Sequence, residues 1–214
     1  MKKFFVIIVL FALPLVAYLF FASGVNNFAR LPILDAEVAS LDGFRSLDGN
    51  TPAFEGNITI LSFPGKDPVD YETNAYHLVE KIYEPYSEFK DFYFISVVPE
   101  GNEKEIEVLK QELSTIADLK KWKFVTASEE EIKTLFSSLD SNLELDSDLS
   151  TPHVFIIDKD AKLRGRQDDE GAGKLFGYDT GSIAVLNNKM NDDVKVILAE
   201  YRLELKKYNQ SRKK

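Results

Sequence analysis

The sequence predicts an α/β domain with a central mixed β-sheet flanked by helices, preceded by one N-terminal transmembrane helix. Three observations carry this. Two nearly continuous apolar runs, Asn57 to Phe63 and Phe92 to Val98, each stop at a proline and have the character of strands buried on both faces. Segments with apolar residues at helical spacing separate these and later strand-like runs, so helical crossovers make the central strands parallel. An uncharged stretch from Phe4 to Ala22 stands ahead of both.

That stretch would span roughly 28 Å as a helix, close to the ~30 Å hydrocarbon core of a bilayer. Lys2 and Lys3 precede it, so the positive-inside rule puts everything after about residue 25 outside the cytoplasm. Pro14 is compatible with a membrane helix. Ala22-Ser23-Gly24 also suits a signal peptidase, which leaves a cleaved, secreted form as the alternative. The length of the run favours an anchor, because a signal core usually has about 7–15 apolar residues. Residues 1–25 are therefore read as the anchor, 26–208 as one domain and 209–214 as a basic tail.

Composition bounds the chemistry. A hydrophobic fraction of 44% with 16 Phe and 9 Tyr argues for a packed core rather than disorder. Lys and Arg number 26 against 35 Asp and Glu, giving a net charge of −9, and no clustered basic face for nucleic acid is expected. The 214 residues contain no cysteine, which excludes disulfides, thiolate metal sites and thiol catalysis. His77 and His153 are too few for a histidine-rich metal site. No cofactor is expected.

Residues 26–55 read as a polar lead-in with one hairpin. After the first central strand and Pro64-Gly65, the residues Ala75, Leu78, Val79 and Ile82 mark a helix that ends near Pro85. Ile106, Leu109, Leu113 and Ile116 mark a second helix behind the next strand. Trp122 to Thr126 is a short strand, and Ser128 with Glu131 forms a capping box for a third helix through Leu139. His153 to Ile157, the turn at Asp158 to Ala161 and the return from Lys162 to Arg166 make a hairpin at an antiparallel edge. The glycine-rich stretch 167–181 reads as a loop. Ile183, Leu186, Met190, Val194, Ile197, Tyr201 and Leu205 keep one stripe over six turns of a last helix.

The order β-α-β-α-β-α-β-β-α is that of the thioredoxin-like fold, and several strings resemble its Sco/SenC branch of membrane-anchored copper-handling and oxidase-assembly proteins. Ile95-Ser-Val-Val-Pro-Glu100 is similar to the family's "ISVDPE" string. Trp122-Lys-Phe-Val-Thr126 resembles its "W-x-F-L-T-G" strand, and Thr73 to Leu78 the start of its first helix. Phe155 to Asp160, continued by Leu163-Arg-Gly165, resembles the strand, turn and return of thioredoxin-like reductases. The resemblance implies a bacterial inner-membrane protein with its C-terminal domain in the periplasm.

It also implies a C-x-x-x-C pair after the first central strand, binding copper or cycling through a disulfide. Here that loop is Pro64 to Glu72. Counting from the strand puts the first cysteine position at Pro68, and counting back from Thr73 puts the pair at Gly65 and Val69. The family's histidine position holds Ser150, with His153 three residues later. No copper is expected. Pro152 after Thr151 matches the fold's cis-proline, whose loop lies against the active-site loop and can pair with an extended peptide.

The candidate partner-binding surface is therefore Gly65, Asp67, Pro68 and Tyr71 with Thr151, Pro152 and His153. Arg164 and Arg166, flanking Gly165 on one strand and so sharing a face, are added as candidates, although pairing with the acidic loop after them is the plainer reading. Gly171 to Lys174 lacks the first glycine of a phosphate loop, and Asp146-Ser-Asp148 and Asp168-Asp-Glu170 lack the frame of a calcium loop. The expected function is a non-catalytic, membrane-held binding or assembly role in the cell envelope, with respiratory oxidase biogenesis among the roles the resemblance implies. The alternatives are a cysteine-independent enzyme using Asp67, Asp70, Tyr71, His77 or His153, and a purely structural envelope domain.

Overall fold

The computed structural model describes residues 10–16, 18, 30–68 and 71–211. Within the 4–22 run, 10–16 and 18 are helical and exposed, and the rest of the predicted anchor lies outside the described residues. Among the described residues no helix is long and apolar enough to cross a membrane.

The chain runs β1 (Ile33–Glu37), β2 (Arg45–Ser46), β3 (Ile58–Ser62), α1 (72–86), β4 (Phe92–Pro99), α2 (Glu103–Ser114) and β5 (Trp122–Ala127). It continues through α3 (Glu129–Ser137), β6 (His153–Ile157), β7 (Lys162–Arg164), β8 (Arg166–Asp169), β9 (Gly173–Leu175), β10 (Tyr178–Asp179) and α4 (183–211). The main sheet has the order β1-β7-β6-β3-β4-β5-β2. Strands β3, β4 and β5 are parallel, as the helical crossovers require, and β6 and β7 are antiparallel to their neighbours. The hairpin turn is set by Asp158, whose Oδ1 accepts from the backbone N–H of Asp160 and Lys162, both at 2.9 Å.

Two expectations about the edges are corrected. The hairpin is not the edge, because β1 pairs outside β7. Among its described residues the lead-in forms no hairpin, because β1 and β2 add to opposite sides of the sheet. Its apolar residues Leu34, Val38, Leu41, Phe44 and Phe54 are buried with α3 against one sheet face, so the segment crosses that face instead of folding on itself.

The other face carries α1, α2 and α4 over Ile58, Ile60, Phe94, Trp122 and Phe124. Ala75, Leu78, Val79 and Ile82 are all buried as their spacing predicts, and a π-turn at Val79–Tyr83 turns Tyr83 inward as well. Tyr83 meets Phe94 edge-to-face at 5.1 Å. The capping box of α3 is present, with Ser128 N–H donating to Glu131 Oε2 at 2.9 Å and Glu131 N–H to Ser128 Oγ at 3.3 Å. Ile116 lies past the end of α2 and is 46% exposed, and Ile183 at the start of α4 is exposed too, so both leave the stripes they extend in sequence. Without disulfides, burial of this aromatic core has to supply the stability.

The stretch 167–181 is not a plain loop. Strands β8 and β9 form a separate ribbon, and β10 lies antiparallel beside β6. Ion pairs hold the ribbon to α4: Lys189 Nζ lies 2.7 Å from Asp169 Oδ1, and Arg166 Nε lies 2.7 Å from Asp193 Oδ2.

Candidate functional site

The loop after β3 and the segment before β6 are pinned together. Pro64 and Ser150 form a bridge, Lys66 N–H donates to Asp148 O at 2.9 Å, and Thr151 N–H donates to Phe63 O at 3.1 Å. Gly65 makes this approach possible. It has φ +83°, and a Cβ there would come within 2.6 Å of Ser150 Cβ. Ser150, at the position the resemblance gives to a histidine ligand, directs its hydroxyl to Asp148 Oδ1 at 2.9 Å.

The Thr151–Pro152 peptide bond is trans, which corrects the expected cis geometry. The Ser150 bridge already leads the chain straight into β6, so no tight reversal offsets the trans preference of about 0.5–1 kcal/mol. The carbonyl of Pro152 is also taken. Thr180 donates to it twice, from N–H at 3.0 Å and from Oγ1 at 2.7 Å. β10 thus lies where a pairing peptide would approach, with Asp179 in register with His153.

Both histidines bracket that strand. His77 Nδ1 lies 2.9 Å from the Thr180 carbonyl, and since a carbonyl only accepts, Nδ1 carries the proton. His153 is half-buried, 3.3 Å through Nδ1 from Thr151 Oγ1. Burial lowers its pKa below 6.5, and Asp179 partly opposes this. Tyr71 is buried, with its hydroxyl facing Thr180 and Ser62 but lacking a well-formed hydrogen bond, and burial holds the phenol far above its ordinary range. Below it, Trp122 Nε1 donates to Ser96 Oγ at 2.8 Å, and Ser96 Oγ lies 2.7 Å from Ser62 Oγ.

The structure therefore joins Gly65, Pro68, Tyr71, Thr151, Pro152 and His153 through one set of contacts, but most of them are buried. The exposed members are Asp67 and Pro152, with Lys66 between the loops and part of His153. Asp70 and Val69 lie outside the described residues.

Arg164 and Arg166 do not belong to this surface. Gly165 ends β7, and a Cβ there would lie 2.2 Å from Leu175 O, so the backbones touch and the chain leaves the main sheet for the ribbon. The two arginines consequently sit on different strands instead of one face. Arg164 is buried, donating to Leu31 O at 2.8 Å, Asp158 Oδ2 at 2.8 Å and Glu200 Oε2 at 2.6 Å. Arg166 grips Asp193 with both Nε and Nη2. Their partners lie mainly in the hairpin turn and α4, not in the acidic loop alone.

A parallel three-stranded centre with an antiparallel hairpin, entered beside the loop that follows the first parallel strand, defines the thioredoxin-like class. Comparison with solved structures sharpens this to a Sco-like shape. The chain is similar to BsSco, a member of the Sco family of cytochrome c oxidase assembly proteins, at 15% identity over 77% of this chain and 92% of that one, with a TM-score of 0.50. A protein of Aquifex aeolicus VF5 matches at 17% identity over 79% of this chain and 92% of its own, also at 0.50. No protein-family model matches the sequence, and neither does any curated protein.

The donors present do not fit a copper ion of the Sco kind. The loop has no sulfur, Ser150 stands at the position the resemblance gives to a histidine, and among the described residues no group of three or more His, Asp or Glu is gathered.

Proposed function

We propose that this chain is a membrane-anchored binding protein of the bacterial envelope, facing the periplasm, which uses a Sco-like thioredoxin fold without thiol or copper chemistry. One observation carries the reading: the loop that would hold the reactive pair is cysteine-free and tied to the Ser150–Pro152 segment, which is itself bonded to Thr180. What remains outward is a short polar ridge of Lys66, Asp67, Pro152 and His153, suited to contact with a protein surface. The likeness to an oxidase-assembly protein supports a partner among respiratory oxidase components or other envelope assemblies. The apolar run 4–22 supplies the anchor.

The test is photocrosslinking in native membranes, with the crosslinker placed in the full chain at Asp67, at Pro152 and, as a control, at Glu107 on exposed α2. The reading expects one envelope protein captured from both Asp67 and Pro152 and not from Glu107. Equal capture from Glu107, or none from the ridge, would overturn it. The purified chain should take up no Cu(I) at micromolar concentration, and stoichiometric uptake would remove the second half of the proposal.

A further inference from the structure

At the opposite end of the sheet a cavity of about 260 Å³ opens where β3 and β4 begin, lined by Ile58, Phe89, Leu198 and Tyr201 and rimmed by Lys90 and Arg202. Asp91 and Lys159 complete the lining and answer each other at 2.6 Å, with the Lys159 ammonium also 5.4 Å from the centre of the Tyr201 ring. Lys90 and Arg202 are exposed and, among the described residues, neither side chain has an ion-pair partner. Phe89, in the same lining, is 40% exposed.

We propose that this end docks on an anionic phospholipid bilayer, the cavity taking the glycerol and upper acyl region of a lipid while Lys90 and Arg202 meet its phosphate. Charge complementarity selects this occupant. The chain carries −9 overall, yet the sequence from Arg202, on the cavity rim, to Lys214 has six cations and one acid. An exposed aromatic beside unpaired cations over an apolar hollow matches the layered chemistry of a bilayer surface. A bilayer of anionic lipid attracts such cations within about a Debye length, ~8 Å at physiological salt.

The proposal implies an orientation, and this part rests on the anchor reading above. Residues 23–30 can extend no more than about 28 Å, so a spanning 4–22 segment keeps the domain near the bilayer. Docking through the Phe89 end leaves the Asp67–Pro152 ridge, at the far ends of the parallel strands, pointing away from the membrane toward a partner.

The absence of cysteine makes the test direct, since one introduced cysteine is the only label site. Full chain carrying Glu88→Cys or Asp67→Cys, each with an environment-sensitive fluorophore, is placed in nanodiscs of phosphatidylcholine alone or with phosphatidylglycerol, both containing nitroxide-labelled lipid. Quenching at position 88 should rise several-fold with phosphatidylglycerol, fall in 0.5 M NaCl, and drop about fivefold for each of Lys90→Glu and Arg202→Glu; position 67 should stay unquenched throughout. Both replaced residues are exposed, and matching thermal melts confirm that the variants fold. Equal quenching in the two lipids, indifference to charge reversal, stronger quenching at position 67, or protection only when other envelope proteins or a second copy are present would each overturn the proposal. Carbonate extraction of native membranes separates the two readings: a chain that resists extraction but shows no charge-dependent quenching keeps its anchor and loses the docking face, and an extractable chain that still binds phosphatidylglycerol vesicles does the reverse.

Discussion

The two ends of the central sheet are finished in opposite ways. Where β3 and β6 meet at Pro64 and Ser150, polar groups are answered from within the chain: Lys66 N–H by Asp148, Pro152 O by Thr180, Thr180 O by His77. Where β3 and β4 begin, Lys90 and Arg202 stand exposed beside an aromatic hollow, without an ion-pair partner among the described residues. A reactive thiol pair needs accessible sulfur in an electropositive, partly exposed setting. Here that end has no sulfur and is a braced junction, while exposed cations rim the hollow at the other.

Between them lies Arg164, which ties the chain's entry at Leu31, the turn at Asp158 and the last helix at Glu200. Arg164→Met should have the largest effect, about 3 kcal/mol or more in urea denaturation, because it strands a buried Asp158 carboxylate. Arg202→Gln, on the helix that carries Glu200 but exposed, should stay within about 0.5 kcal/mol. Similar losses from both would erase the contrast between braced and open regions.

Gly65→Ala comes next. A methyl at φ +83° facing Ser150 Cβ should cost about 2 kcal/mol and speed amide exchange at Lys66 and Thr151. An unchanged midpoint would mean the two loops are not held where they meet. Thr180→Val is milder. It removes the Oγ1 bond to Pro152 and keeps the backbone one, so a loss near 1 kcal/mol is expected, with greater crosslinking at Pro152 if β10 guards that edge.

The fold was legible where many residues of one period point to the same core. The runs at 57–63 and 92–98, the Ser128–Glu131 box and the stripe Leu186, Met190, Val194, Ile197 are dictated locally and stand as predicted. The site was half legible. Its loops were located by the missing cysteines and by Pro152, but β10 was hidden, because two residues are too few to show alternation and its pairing depends on the distant β6. Arg164 and Arg166 misled for a related reason: alternation puts them on one face only if the strand continues, and close backbone contact at Gly165 ends it. The trans bond at Pro152 follows from the Ser150 bridge and the Thr180 contacts, which local sequence does not announce.

The smallest predicted effect tests how closed the braced end is. Burial lowers the His153 pKa while Asp179, opposite on β10, pulls it upward, and burial is the stronger cause. The folded chain then holds a proton at this ring less readily than the unfolded chain, whose histidine titrates near 6.5. Below that pH the unfolded state binds more protons, so stability is full above about 6.5 and falls as the pH drops toward the folded value. Urea midpoints measured from pH 7.5 to 5.0 should decline on the acid side, and His153→Gln should flatten that part of the curve without moving the neutral plateau by more than about 1 kcal/mol. If acidification instead stabilises the wild type in a His153-dependent way, the Asp179 carboxylate outweighs burial. The ring would then be open to solvent, and the junction between Pro152 and Thr180 would be a looser, more accessible surface than its hydrogen bonds imply.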